Sequence, residues 1–100
     1  MMSRTSGERD PEILRFRTRL AAADRAILAA VGTRVRLAVE MLAYKAQRGL
    51  PLVDDEQERR VRERCRGSAS EEGVDPDLAW AVMELVVAAG KETGFARYGP

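Results

Sequence analysis

Arg34 and Lys45 stand eleven residues apart with no proline between them. On a helix that spacing is three turns, so the two cations point nearly the same way. Arg17 and Asp24, seven apart, also share a face. Shortly after Lys45 the run "DDEQE" sets Asp54, Asp55, Glu56 and Glu58 around Gln57. Two readings compete for these residues. In one, cations and carboxylates wall a pocket for a charged ligand. In the other, a helix ends at "RGLP" and an acidic helix start follows, because carboxylates favour a helix N-terminus through capping and the dipole.

The elements that must position these groups sharpen the choice. Written as a heptad, one seam of the first helix holds Ile13, Leu20, Ile27, Arg34 and Met41, and the other holds Arg17, Asp24, Val31, Ala38 and Lys45. Most of these are apolar, as a buried seam requires. Arg17, Asp24, Arg34 and Lys45 are not, and burying an unpaired ion costs several kcal/mol. A loose seam whose ions snorkel to water accounts for any one of them, but poorly for all four. Arg17 lies about 25 Å along the axis from Arg34, so the two cannot meet on one straight helix. They can meet if two copies pack antiparallel, in an intertwined homodimer with two equivalent sites.

Composition narrows the chemistry. One hundred residues make a single small domain, for which oligomerisation is a ready source of extra burial. Seventeen basic and sixteen acidic side chains leave a net charge of +1, too little for a broad field toward nucleic acid or an anionic membrane. The chain has no histidine, which excludes His-based general bases, triads and His metal sites. Cys65 is the only cysteine, so no internal disulfide forms, in keeping with a reducing, cytoplasmic setting. The polar start "MMSRTSGERDPE" has no apolar core of a signal peptide, and no apolar run reaches membrane-spanning length.

The predicted fold is all-α, with three helices per chain, one long and two shorter. Residues 1–10 are expected to be disordered, 11–94 to form the helical domain, and 95–100 to be a tail. Asp10 and Pro11 open the first helix as N-cap and N1, and Gly49 and Pro51 close it. At about 37 residues it would be about 55 Å long, so it must fold back or pack along a partner. The second helix starts at Asp54 or Asp55 and ends at Gly73, with a thin apolar stripe of Val61, Cys65 and Ala69. The third starts with Asp75 and Pro76, and its apolar surface predicts deep burial, with Trp80 in the core. "ERRVRERCR" alternates its arginines with glutamates and reads as a solvated face with i,i+4 pairs.

The stretch "FRTRLAAADRAILAAVGTRVRLAVEMLAYKAQRGLPLVDDEQE" resembles the first helix and following loop of the all-α chorismate mutases. That pattern is an arginine, an aspartate seven on, an arginine, a lysine eleven on, a "G-x-P" turn and then "D-x-x-R-E". "EEGVDPDLAWAVMELVV" is similar to the family's third helix. The resemblance covers residues 12 to 94. It implies an intertwined homodimer that rearranges chorismate to prephenate without cofactor or metal. It also implies roles: Arg17 of the partner subunit and Arg34 clamp the two substrate carboxylates, Lys45 sits near a carboxylate and the ether oxygen, and Asp54 and Glu58 hold the ring hydroxyl. Asp55 and Glu56 are left to helix capping and the dipole.

Two departures qualify what the resemblance implies. Gln57 stands where the family usually has arginine, keeping hydrogen-bonding capacity without the charge. Gly90 and Gly94 stand where the family places a serine and a Gln or Glu that reaches the ether oxygen; a small slip of register would bring in Glu92 or Thr93 instead. These losses keep three alternatives open: a mutase or lyase acting on 4-amino-4-deoxychorismate or isochorismate, dependence on an activating partner protein that orders the C-terminal tail, and a weakly active helical dimer with a regulatory or binding role. The acidic pair Asp54 and Glu58 favours chorismate over isochorismate.

Overall fold

A computed structural model describes residues 9–99; all but the last two residues of the segment expected to be disordered lie outside them. Among the described residues the fold is built from three helices: α1, Pro11–Arg48; α2, Asp55–Glu72; and α3, Pro76–Tyr98. No strand occurs among the described residues. None of these helices is long and apolar enough to cross a membrane.

Each boundary follows from local chemistry. Asp10 Oδ1 accepts hydrogen bonds from the N–H groups of Glu12 and Ile13, capping α1 where Pro11 supplies a preset φ. Gly49 ends it at φ 66°, and the Leu50 N–H reaches back to the Lys45 carbonyl at 2.9 Å. Asp54 caps α2, and Gly73 at φ 70° closes it with N–H bonds to the Ala69 and Ser70 carbonyls. Asp75 caps α3 by accepting from the Leu78 N–H at 3.0 Å. The third helix runs on through Tyr98, so residues 95–98 are helical and not the tail expected there. "FARY" contains no breaker before Gly99, and the helix stops only there.

The chain divides into two compact units at Gly32/Thr33. In the N-terminal unit, every described residue through Ala30 is exposed, including Phe16, Leu20, Ile27 and Leu28. Surface pairs decorate this helix, such as Glu12 with Arg15, and the Arg19 guanidinium lies 5.9 Å from the Phe16 ring centroid.

In the C-terminal unit α2 packs on α3, and the remainder of α1 packs on α3 through two glycines. A Cβ on Gly90 would sit 2.9 Å from the Ala38 Cβ. A Cβ on Gly94 would overlap the Leu42 side chain. Both glycines are buried, and lacking Cβ atoms they let the two helices approach closely. The buried apolar set is small: Val39, Leu42, Ala69 and Val86. The deep burial expected of α3 is absent from the single chain, where Leu78, Val82 and Leu85 remain exposed. An all-round apolar helix needs cover on more faces than two neighbouring helices supply.

Candidate functional site

The C-terminal unit holds a half-open cavity of ≈340 Å³ walled by one stripe from each helix. From α1 come Arg34, Ala38, Met41, Leu42 and Lys45, the i, i+4, i+7, i+8, i+11 face of a single helix. The α2 wall is Asp54, Gln57, Glu58 and Val61, again one face counted from the cap. The α3 wall is Trp80, Glu84, Val87, Ala88 and Lys91, with Leu52 from the loop. Thus Arg34, Lys45, Asp54, Gln57 and Glu58, the five sequence candidates in this unit, all line one space. Arg17, the sixth, belongs to the N-terminal unit, is exposed there, and is not among the lining residues.

Arg34 and Lys45 are half-buried, beside apolar atoms of Ala38 and Leu42. Among the described residues neither has a carboxylate within ion-pair distance. Two aligned cations without an internal counter-ion, against a partly apolar wall, form an anion-binding surface whose attraction is screened less than in open water.

Asp54 has two assignments, which corrects the division of the acids drawn from sequence. It lines the cavity, yet it is also the N-cap of α2: its Oδ1 accepts from the Gln57 N–H at 3.1 Å. A carboxylate has about four acceptor positions, so one cap bond leaves capacity for a ligand. Glu56 faces elsewhere and pairs with Arg59 and Arg60 on the surface. That pairing takes Arg59 away from the role Gln57 lacks. Gln57, half-buried, is among the lining residues, at the position where the family usually has arginine.

On α3 the arrangement differs from the sequence expectation. Gly90 and Gly94 face Ala38 and Leu42 on α1, not the cavity. Glu92 is exposed and Thr93 donates its hydroxyl to the Ala89 carbonyl at 2.9 Å; neither is placed at the cavity by this chain. The polar groups that α3 does contribute are Glu84 and Lys91, both missed in the sequence. Their stripe 80, 84, 87, 91 has helical spacing, but α3 is apolar on most sides, so spacing alone did not reveal which face looks inward. Lys91 forms an ion pair with Glu58. Trp80, expected in the core, is half-buried on the cavity wall, with the Arg62 guanidinium 5.2 Å from its ring centroid. Cys65, expected to be buried on the α2 stripe, is only half-buried there.

No group of His, Cys, Asp or Glu among the described residues could hold a metal ion. The polar side-chain groups among the lining residues are three cations, three carboxylates, an amide and the Trp80 indole N–H. They can bind, orient and polarise a small anionic molecule, and they include no paired nucleophile and base.

An all-α chain with a cationic, carboxylate-bearing cavity between three helices is the class that fold and site define. The chain belongs to the type II chorismate mutase family, whose model matches residues 16–93. The match takes in every candidate from Arg17 to Lys91. No curated protein and no solved structure matches the chain.

Proposed function

We propose that this protein is a chorismate mutase, converting chorismate to prephenate in two equivalent sites of an intertwined homodimer. The observation that carries the reading is the convergence of Arg34, Lys45, Asp54, Gln57 and Glu58 on one cavity in a chain of this family. Its ≈340 Å³ falls among small-molecule sites.

The reaction is a concerted [3,3] rearrangement. One C–O bond breaks as one C–C bond forms, with no proton transfer and no covalent intermediate. The catalyst must hold a flexible dianion in its reactive chair, which is an orientation effect. It must also stabilise negative charge growing on the ether oxygen, which is electrostatic preorganisation. In this reading Arg34 and the partner subunit's Arg17 hold the two carboxylates, and Lys45 lies at a carboxylate and the ether oxygen. Asp54 and Glu58 receive the ring hydroxyl, and Gln57 donates hydrogen bonds without adding charge. Exposure of Leu20, Ile27 and Leu28 on α1 supports the dimer, because apolar surface of this kind is normally covered by a partner.

With Gly90 and Gly94 turned toward α1, neither position supplies an ether-oxygen ligand, and that task rests on Lys45. Turnover is therefore expected to be slow for this reaction class. The same feature favours a second reading, a helical dimer of the family retained for binding or regulation. Incubating the purified protein with chorismate, and measuring chorismate loss and prephenate gain together, separates the two. Matched loss and gain support the mutase. Absence of prephenate at saturating chorismate rejects it.

A further inference from the structure

The geometry points to Lys91 as the residue that, paired with Glu58, makes the site select a ring hydroxyl over a ring ammonium group. This rests on the mutase reading of the cavity and deepens it by naming the substrate feature recognised.

Lys91 is the last residue of the α3 stripe that lines the cavity, and its ammonium pairs with the Glu58 carboxylate. The two side chains come from different helices and are about equally exposed, at 40% and 41%. Both line the cavity, and neither is buried, so a ligand there can reach them. Two glycines, at about −100° and −60° from Lys91 around the helix, share the face next to it and orient α3. Gly90 and Gly94 press against Ala38 and Leu42, so the neighbouring face of α3, carrying Val87 and Lys91, is the one turned inward.

The pair offers a ligand two complementary groups. Ionised Glu58 only accepts hydrogen bonds, and Lys91 only donates them. A hydroxyl is both donor and acceptor, so it can donate to Glu58 and accept from Lys91. An ammonium group donates only. It would find Glu58 already engaged by a competing cation and would meet the like charge of Lys91. The isolated carboxylates Asp54 and Glu58 would not discriminate in this way, since a carboxylate alone attracts an ammonium more strongly than a hydroxyl. Lys91 thus reverses the preference that the acidic pair would otherwise impose, and it removes 4-amino-4-deoxychorismate from the preferred substrates.

The test compares chorismate with 4-amino-4-deoxychorismate, measuring kcat, KM and equilibrium binding for the full-length wild-type protein, Lys91→Met and Lys91→Arg. Wild type should favour chorismate by about tenfold or more in kcat/KM and in affinity. Lys91→Met keeps the length of the side chain and removes the charge. It should collapse that ratio by about tenfold or more, chiefly through KM, because the contact is present in ground and transition states alike. Lys91→Arg should retain most of the preference. A lysine serving only to tie α2 to α3 would lower both substrates together and leave the ratio unmoved, which would overturn the proposal. So would a wild-type preference for the amino substrate, a result that needs no variant to fold. If wild type neither binds nor converts either compound, the mutase reading fails and this proposal with it. Conversion of either compound with a ratio insensitive to Lys91→Met overturns the proposal alone.

Discussion

Arg34 and Lys45 are half-buried cations without a carboxylate partner among the described residues, and both line the cavity. In the proposed reaction each stabilises charge that is larger or better placed in the transition state. Removing one such preorganised donor typically costs about 10²–10³ in rate. Arg34→Ala and Lys45→Ala should each lose at least about a hundredfold in kcat/KM while far-ultraviolet circular dichroism stays helical. Wild-type turnover by either variant would remove it from the site. Gln57 permits a test in the opposite direction. Gln57→Arg adds a cation at the cavity wall, and should tighten a dicarboxylate substrate by a few-fold in KM, through charge-assisted bonding. An unchanged or raised KM would show that the amide does not face the substrate.

At the scale of elements, the caps decide where the acids point. Asp54 caps α2 and lines the cavity, whereas Asp75 caps α3 and is not a lining residue. Losing a cap costs about 1 kcal/mol, and asparagine caps as well as aspartate. Asp75→Ala should lower the melting temperature and leave kcat/KM within about twofold, since the cap contributes stability alone. Asp54→Asn should keep the melting temperature and lower kcat/KM. An unchanged kcat/KM in Asp54→Asn would show that Asp54 is only a cap. Gly90 tests the packing of α1 on α3. Alanine gains about 1 kcal/mol of helix propensity but forces Cβ atoms together against Ala38, and overpacking costs about 1–3 kcal/mol. The net expectation is a lower melting temperature in Gly90→Ala; a higher one would mean that the helices part without cost. The helix starts and stops were legible because Asp, Pro and Gly act through neighbouring backbone groups. The inward face of α3 was not, because nearly every face of that helix is apolar and its direction is set by two glycines against α1. Glu84 and Lys91 were missed for that reason. Arg34 and Lys45 were legible because they interrupt an apolar seam, whereas Glu58 was singled out from its acidic neighbours only by the family resemblance.

At the scale of the whole molecule, the single chain leaves too much apolar surface open. Among the described residues four buried apolar side chains form a thin core, and small domains usually add burial through association. Ile13, Leu20 and Ile27, one seam of α1, are all exposed. Burying such side chains stabilises by about 1.5–3 kcal/mol each. Ile27→Asp should therefore dissociate the proposed dimer, visible as a halved mass in sedimentation, and abolish turnover with it. A monomeric wild type would leave Arg17 with no second chain to serve. The most direct test of the shared site mixes two inactive variants. Arg17→Ala keeps Arg34, and Arg34→Ala keeps Arg17, so a mixed dimer holds one complete site and one empty of both arginines. After subunit exchange at equal concentrations, the expected result is prephenate formation at about a quarter of the wild-type rate, since half the dimers are mixed and each has one working site. No recovery on mixing, with exchange confirmed, would contradict a site completed by the partner subunit's Arg17.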